Sequence, residues 1–195
     1  RGAMKERARV MIPCGEWAPP PFAGLPRWVL SDTHFAHRNI VLAGRRPPEH
    51  EEWVLARWRA LVAPEEVVLH LGDVAYGTRA EVEALLPRLA ALPGRVYVIR
   101  GNHDERPKLR LYERIGWRVV APFALAYRGW RVAFRHKPCG PLPPATLLVH
   151  GHLHGAPDRS PRYLNVSVER LDYRPADLAA LLEARIEGLL ANSLA

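Results

Sequence analysis

Four short apolar runs recur along this chain, and each has the length and β-branched content of a strand buried on both faces. The runs are Trp28 to Leu30, Val67 to Leu71, Val96 to Ile99 and Thr146 to Val149. Two segments with helical spacing separate the first three runs: 49–62, and 80–92 with Thr78 as its N-cap. This alternation predicts parallel pairing through right-handed crossovers, and therefore an α/β fold.

The pattern changes in the second half of the chain. Two short runs, Trp117 to Val120 and Trp130 to Phe134, lie on either side of Arg128 and Gly129, which predicts antiparallel strands and a hairpin. A last strand is expected at Tyr163 to Val168. A final helix is expected to carry Pro175 in its first turn and to bury the stripe Leu178, Leu181, Leu182 and Ile186.

At 195 residues the chain is long enough for one domain with its own core, so it needs no disulfide or metal merely to fold. Proline and glycine are frequent from Pro13 to Pro26, which predicts an irregular lead-in over residues 1–26. The folded domain is then expected over residues 27–195. Arg1, Gly2 and Ala3 precede Met4 and are left out of functional reasoning, as residues that an expression vector can supply.

The net charge and the two cysteines indicate which partners and which cellular compartment to expect for this protein. The 28 lysines and arginines exceed the 20 acidic residues and give a net charge of +8, which attracts anions such as phosphates. Cys14 and Cys139 lack CxxC spacing, so we expect unpaired thiols in a reducing compartment and a cytoplasmic protein. No apolar run approaches the length of a membrane span or of a signal peptide's core, so no membrane partner is expected.

Every predicted strand of the body but one ends in polar residues that bind metals. These residues are Asp32 and His34; Asp73; Asn102, His103 and Asp104; His136; and His150, His152 and His154. Ligands of open α/β sheets gather beyond the carboxyl ends of the strands, so the side chains are expected to converge. In extended backbone, residues two apart point to the same side, which would place Asp32 with His34 and His152 with His154.

Glycines stand beside these residues at positions 72, 101 and 151, and we expect them to permit tight turns and a close approach of backbone to the site. Taken singly, a strand-end aspartate or histidine is more often a turn, cap or hydrogen-bonding residue than a ligand. Five such groups in one chain point instead to a functional site. Carboxylate, amide and imidazole donors without thiolates suit Mn, Fe, Zn, Ni or Co.

In their order, these groups resemble the calcineurin-like binuclear metallophosphoesterases, whose pattern is D-x-H, GD, GNH(D/E), a lone H and GHxH. The matching motifs are Asp32-Thr33-His34, Gly72-Asp73, Gly101-Asn102-His103-Asp104, His136 and Gly151-His152-Leu153-His154. Residues 32–40, Arg46-Pro47, 70–75 and 165–168 further resemble a small single-domain bacterial and phage subgroup. The resemblance implies a four-layer α/β/β/α sandwich, with two mixed β-sheets packed face to face and helices outside.

The resemblance also implies a centre of two divalent metal ions, with manganese favoured and Fe, Zn, Ni or Co as alternatives. One ion would be held by Asp32, His34 and His154, the other by Asn102, His136 and His152, and Asp73 would bridge both. A hydroxide bridging the ions would attack the phosphorus of a phosphoester in line with the leaving group.

Several neighbouring residues are candidates for contact with the substrate. His103 is a candidate to donate a proton to the leaving oxygen or to stabilise the phosphate, and Asp104 either orients His103 or caps the loop. His37, Arg38 and Asn39 either contact the substrate phosphate at a helix start or form a solvated turn.

Three further histidines are less informative. His150 is expected to lie behind the ligands, because the family pattern selects His152 and His154. The role of His70 is open. His50 falls on a predicted helix and is expected at the surface.

Taken together, these features predict a metal-dependent phosphoesterase that favours phosphodiesters. The arginine excess would also suit a nuclease or nucleotide phosphodiesterase. A phosphomonoesterase and a non-catalytic nucleic-acid-binding scaffold are further alternatives.

The basic cluster from Arg106 to Arg114 is predicted to be a solvated helix face. No Asp-Arg pair follows Gly72-Asp73, so protein Ser/Thr phosphatase activity is not supported, and Glu169 stands where the subgroup often has an aspartate.

Overall fold

The computed structural model of the protein describes residues 11–193 and contains, within that range, nine strands and five α-helices. The strands are β1 Trp28–Leu30, β2 Val67–His70, β3 Arg95–Ile99, β4 Arg118–Val120, β5 Phe123–Tyr127, β6 Trp130–Arg135, β7 Thr146–His150, β8 Tyr163–Asn165 and β9 Ala176–Asp177. The helices are α1 Arg38–Leu42, α2 His50–Leu61, α3 Arg79–Ala90, α4 Arg106–Arg114 and α5 Leu178–Ser193. Arg1, Gly2 and Ala3 lie outside the described residues.

The strands form two mixed sheets. The first has the order β4–β3–β2–β1–β9, in which β1 to β4 are parallel and β9 is antiparallel to β1. The second has the order β5–β6–β7–β8, in which β5 and β6 form an antiparallel hairpin and β6, β7 and β8 are parallel. The predicted α/β class with two mixed sheets is confirmed.

Alternate side chains of the first sheet face two different cores. Leu30 and Val68 belong to a core with the buried residues of α2, α3 and α4, including Trp58. Val29 and Leu69 belong to a second core, which lies between the sheets and contains Phe134 and Val149 of the second sheet together with buried residues of α5. Burial on both faces explains why the strands of the first sheet consist of continuous apolar runs.

The outer face of the second sheet is covered by the lead-in. Leu148 and Tyr163 pack there with Cys14 and Trp17, and Cys14 is bonded to Cys139 in the loop after β6. The expectation of unpaired thiols is therefore wrong, because the lead-in returns to a segment 125 residues away in the sequence. A cytoplasmic location, which rested on that expectation, stays a prediction. Among the described helices, none combines the length and the apolar character needed to cross a bilayer.

The two predicted helices of the first sheet form close to their expected bounds. α3 begins at a capping box, in which the Thr78 hydroxyl accepts a hydrogen bond from the Glu81 N–H and the Glu81 carboxylate accepts one from the Thr78 N–H. The final helix differs: it begins at Leu178, so Pro175 precedes the short edge strand β9 and does not lie in the helix.

The expected pairing of residues 117–120 is wrong. β4 joins the first sheet parallel to β3, and the hairpin around Arg128 and Gly129 is formed by β5 and β6. The cause is α4, an additional crossover helix between β3 and β4 that continues the strand–helix–strand alternation of the preceding segments.

Candidate metal centre

The predicted metal-binding side chains converge at one end of the two sheets. They follow the carboxyl ends of five parallel strands, β1, β2, β3, β6 and β7, as the topology of α/β sheets requires of a shared site. Within the described residues, two groups of acidic and histidine side chains have donor atoms that all lie within 4.8 Å of one another: Asp32, His34 and His154; and Asp73, His136 and His152.

In the first group, the two carboxylate oxygens of Asp32 differ in their hydrogen bonding. Oδ2 accepts hydrogen bonds from the His152 N–H at 2.8 Å and from the Ser167 hydroxyl at 3.1 Å. Oδ1 is buried, has no hydrogen-bond partner within residues 11–193 and lies 3.6 Å from Nε2 of His34. Both ring nitrogens of His34 are likewise buried and without a partner in this part of the chain. Unpaired buried polar atoms are costly, so this arrangement favours an additional ligand between them.

In the second group, His136 is oriented by the backbone. Its Nδ1–H donates to the Leu71 carbonyl at 2.8 Å, which directs Nε2 toward Oδ1 of Asn102 at 2.9 Å and toward Oδ2 of Asp73 at 3.2 Å. Two acceptor oxygens facing one ring nitrogen are favourable only when a proton or a cation lies between them. The predicted ligand Asn102 is thus brought to this group.

Asp73 lies between the two groups. Its Oδ1 accepts a hydrogen bond from the His103 N–H at 2.8 Å. Its Oδ2 lies 3.5 Å from Nε2 of His34 in the first group and 3.2 Å from Nε2 of His136 in the second. One carboxylate oxygen therefore faces ligand atoms of both groups.

The backbone at five of these positions is left-handed, and not extended as the sequence analysis assumed. The φ angles are 57° at Asp32, 48° at His34, 54° at Asp73, 69° at His152 and 50° at His154. Non-glycine residues in this region cost about 1–3 kcal/mol each and cluster at functional sites. The paired side chains converge because the chain turns sharply between them.

Two glycines allow the backbone to pass close to the carboxylates. A Cβ atom at Gly101 would lie 2.1 Å from Oδ1 of Asp73, and one at Gly151 would lie 2.3 Å from Oδ2 of Asp32. Neither position can carry a side chain without displacing a predicted ligand. The expectation that these glycines permit close approach of backbone to the site is confirmed by this geometry.

The electrostatics of the centre keep both aspartates ionised. Burial raises the pKa of Asp32 and Asp73, but contacts with His34 and His136 respectively outweigh it and hold both pKa values below the ordinary range. Burial lowers the pKa of His136, while its bond to Asp73 and the nearby carboxylate charges raise it above the usual value. Burial and the charges of His136 and Lys137 lower the pKa of His152 to about 4, which keeps this imidazole neutral and able to bind a cation.

The contacts of Asp104 favour the loop-capping role among its two expected ones. Its carboxylate accepts hydrogen bonds from the backbone N–H groups of Asp73 at 2.6 Å, Gly101 at 2.9 Å and Val74 at 3.1 Å. Within residues 11–193 the carboxylate makes no hydrogen bond to the His103 ring, and the orienting role stays a prediction. The carboxylate fixes the loop that carries Asp73, and burial raises its pKa.

The predicted substrate-contacting residues separate into two sets. His103 lies beside the centre with Nε2 4.0 Å from Oδ2 of Asp73, and its carbonyl accepts a hydrogen bond from Nζ of the buried Lys108. His37 and Asn39 line the same cavity as His103. Arg38 lines a neighbouring hollow between α1 and the start of α2.

The remaining histidines are buried beside the site. His70 accepts a hydrogen bond from the Gly72 N–H at Nδ1 and bonds the Thr33 hydroxyl through Nε2, and burial lowers its pKa to about 3, so it is a neutral residue that ties two strand ends together. His150 is fully buried and its Nδ1 bonds the Gly151 carbonyl. His50, expected at the surface, is buried at the start of α2, where it bonds the Pro47 carbonyl.

Two charged residues, Arg46 and Glu169, hold the backbone and one histidine of the first group in place. The buried side chain of Arg46 donates to the carbonyls of Asp32 and Thr33 and forms an ion pair with Glu169 at 2.6 Å. Glu169 in turn accepts a hydrogen bond from Nδ1 of His154 at 2.9 Å. Arg46 belongs to the motifs that carry the resemblance and Glu169 is a departure from them, and their separation of 123 positions conceals their contact in the sequence.

Comparisons with known proteins agree with this site. A family model described as calcineurin-like phosphoesterase matches residues 25–177. The uncharacterized protein MJ1445 of Methanocaldococcus jannaschii is 26% identical over 185 residues, which cover 86% of this chain and 95% of that protein. The gene 66 protein of Mycobacterium phage D29 is 34% identical over 113 residues, or 52% of this chain and 53% of the phage protein.

Among solved structures, the protein of unknown function AQ665 from Aquifex aeolicus superposes with a TM-score of 0.65 and 24% sequence identity. The match covers 80% of this chain and 97% of that chain. This likeness shows the fold.

Proposed function

The chain belongs to the calcineurin-like phosphoesterase family, and on that premise we propose that it hydrolyses phosphodiesters at a centre of two divalent metal ions. Family membership and the two groups of donor side chains together support a metal-dependent phosphoesterase in general. The preference for diesters, the roles of individual residues and manganese as the favoured ion are parts of the proposal.

The residues present fit two divalent ions. Asp32, His34 and His154 would hold one ion; Asn102, His136 and His152 would hold the other, with Asp73 contributing to both. Oδ1 of Asp32 and the two ring nitrogens of His34 have no hydrogen-bond partner among the described residues. Mixed oxygen and nitrogen donors suit manganese, iron, zinc, nickel or cobalt. When bound, such ions polarise the phosphoryl oxygens and lower the pKa of water.

The position of Oδ2 of Asp73 is the observation that carries this proposal. An oxygen that lies 3.5 Å from His34 and 3.2 Å from His136 is placed to contribute to both groups at once. Asp104 keeps it there, because its carboxylate binds the backbone N–H of Asp73. A single-metal or purely structural site would have no use for a carboxylate shared in this way.

The chain's own contribution to the chemistry is to position the substrate and to supply a proton. In hydrolysis the oxygen of water forms a bond to phosphorus while the bond to the leaving oxygen breaks, and the leaving oxygen takes up a proton. His103 borders the centre and is the proposed proton donor. Burial lowers the pKa of His103, which makes its protonated ring a stronger acid.

Two openings, each bordering one of the two groups of donor side chains, favour a diester over a monoester. A cavity of about 600 Å³ borders His34, His103 and His154, and a groove of about 360 Å³ borders Asn102 and His136. A phosphodiester has two ester groups to place, one in each opening. A monoester would leave one opening without a function.

The experiment compares hydrolysis of bis(p-nitrophenyl) phosphate and p-nitrophenyl phosphate, with manganese, iron, zinc, nickel or cobalt added in turn and with chelator. We expect manganese-dependent turnover with the diester preferred. Asp73→Asn should lower kcat by at least about a hundredfold, since metal ligation and its orientation are lost together, whereas the exposed Glu83→Gln should have no effect. Preference for the monoester would overturn the diester assignment. Lack of turnover with any of the five metals would support the scaffold alternative.

A second candidate, cleavage of a nucleic-acid strand, is favoured by the charges of the smaller groove. Arg100 and Lys137 are exposed at its edge, and neither forms an ion pair within residues 11–193. Cations beside the centre could bind the neighbouring phosphates of a strand. Binding of single-stranded DNA across a salt series tests this: a steep decrease of affinity with salt is expected for a nuclease, and a flat response excludes it.

A further inference from the structure

The larger cavity at the centre has a wall of aromatic rings. It lies between α1 and the loop after β2, and its lining contains the predicted ligands His34 and His154 together with His37, Tyr76 and His103. The cavity therefore opens directly onto the metal centre. A group in this cavity would lie next to a phosphate bound at the centre.

The five rings are in mutual contact. His37 stacks on Tyr76 with ring centroids 3.9 Å apart and an angle of 23° between the planes. Tyr76 meets His103 edge to face at 4.8 Å, and His34 lies 5.3 Å from His37 and 4.9 Å from His154. The wall is thus continuous from the metal centre to the cavity mouth.

Three of these rings belong to the catalytic machinery proposed above, but Tyr76 does not. It donates no hydrogen bond to the centre within the described residues, and its half-buried ring lines the cavity. Ile40 and Ala43 of the facing segment add apolar surface. The single carboxylate of the lining, Glu169, is already bound by Arg46 and His154. One face of the Tyr76 ring lies on His37, Nζ of Lys108 lies 5.9 Å from the ring centroid, and the ring borders the cavity, where an aromatic group would meet it.

Polar side chains at the cavity can reach the edge of such a group. Asn39 and Arg45 are exposed and line the cavity. A heteroaromatic ring has donors and acceptors on its edge and a face suited to stacking, whereas a sugar or an alkyl chain lacks the flat face.

We infer that this cavity binds the heteroaromatic base of a nucleoside that forms one ester of the substrate, with Tyr76 as a residue that determines specificity. The inference rests on the proposed phosphodiesterase function and deepens it, because it makes the substrate class a nucleoside phosphodiester. Hydrolysis then consumes one water, breaks the bond between phosphorus and the ester oxygen, and yields a nucleoside alcohol and a phosphomonoester.

The experiment uses thymidylyl-(3′→5′)-thymidine and two analogues in which a tetrahydrofuran ring without a base replaces one nucleoside. The sugar–phosphate chemistry is the same in all three. With manganese present, one of the two analogues should be cleaved with a kcat/KM at least about tenfold below that of the parent, since stacking of a base on an aromatic residue contributes this much binding. That analogue also shows which ester occupies the cavity.

Variants of Tyr76 test whether its ring causes the difference in kcat/KM between the parent and the analogue. Tyr76→Ala should reduce the ratio of parent to analogue toward one, and Tyr76→Phe, which keeps the ring, should retain it. Tyr127→Ala, on the distant hairpin, is the matched control and should keep the ratio. Binding of the same dinucleotides to the protein in chelator, measured by calorimetry, should give the same order of affinities without any turnover.

The outcomes separate the inference from the function on which it rests. Turnover of bis(p-nitrophenyl) phosphate with equal or no cleavage of the three dinucleotides overturns the base site and leaves the phosphodiesterase in place. A Tyr76→Ala variant that loses activity on parent and analogue by the same factor also overturns it, since the ring would then be structural. Lack of turnover with every diester overturns both.

Discussion

Nδ1 of His154 lies 2.9 Å from Oε1 of Glu169, and the same oxygen pairs with the buried guanidinium of Arg46. The bond to Glu169 raises the pKa of His154 despite its partial burial. It also fixes the ring so that Nε2 faces Oδ1 of Asp32, 3.9 Å away. A carboxylate behind a histidine ligand orients the ring and increases its basicity.

Glu169→Gln should therefore weaken metal binding. The amide cannot accept the ring proton as strongly and loses the charge that pairs with Arg46, so the affinity for one of two manganese ions should fall about 10–100-fold. Isothermal titration of the chelator-treated protein measures this. Glu183→Gln, which removes a surface partner of Arg128, is the control. Two unaltered sites in Glu169→Gln would show that the contact has no bearing on the centre.

Gly101→Ala should disrupt the centre. The added Cβ would lie 2.1 Å from Oδ1 of Asp73, and the backbone of the same segment is bound by Asp104, so the carboxylate must move. We expect loss of metal binding and destabilisation by about 1–3 kcal/mol or more. Gly188→Ala in α5, where a Cβ meets nothing within 4 Å, should be neutral or stabilising. Retained manganese affinity in Gly101→Ala would contradict the close packing described here.

His70 should make the metal-free protein sensitive to acid. Burial lowers the pKa of His70 to about 3, against about 6.5 in an unfolded chain. Between these values the unfolded chain binds a proton that the folded chain does not, so stability falls as the pH falls, by about 1.4 kcal/mol per pH unit from this residue alone. Urea unfolding from pH 7 to pH 4 in chelator measures the slope. His70→Gln should reduce that slope by about this amount, and an unchanged slope would count against a buried neutral His70.

The disulfide should be detectable and stabilising. Ellman's reagent should find no free thiol in the denatured, unreduced protein, whereas two thiols would contradict the pairing of Cys14 with Cys139. Reduction should lower the free energy of unfolding by about 2–5 kcal/mol, because the bond closes a long loop. The Tm of Cys14→Ser should not respond to reductant, which separates the disulfide from other effects of the reagent.

The convergence of the proposed ligands could be predicted from the sequence because these residues follow strand ends, and strand ends follow from apolar runs. Asp73 illustrates this: a glycine and an aspartate after a buried run could be placed at the carboxyl end of β2 from residue types alone. The pairing of β4 with β3 was harder to predict. It depends on the crossover helix α4, whose polar sequence gives little indication that it packs against the sheet.

Contacts between distant segments account for what the sequence did not reveal. Glu169 and Arg46 form an ion pair although they are 123 positions apart in the sequence. The residues next to Tyr76 in the sequence give no sign that its ring borders a cavity. Asp104 has a sequence context that suits two roles equally well. The contacts of its carboxylate with the Asp73 and Gly101 N–H groups favour the loop-capping role, and the sequence does not show these contacts.

The left-handed backbone at Asp32, His34, Asp73, His152 and His154 has a consequence for substitution by glycine. Glycine adopts this conformation without steric cost, so replacing any of the five residues with glycine relieves local strain while it removes a donor atom. In the metal-free protein, glycine should therefore be tolerated best at His34, whose ring nitrogens have no hydrogen-bond partner within residues 11–193. It should be tolerated least at Asp32 and Asp73, whose carboxylates accept hydrogen bonds from backbone N–H groups that glycine would leave unpaired.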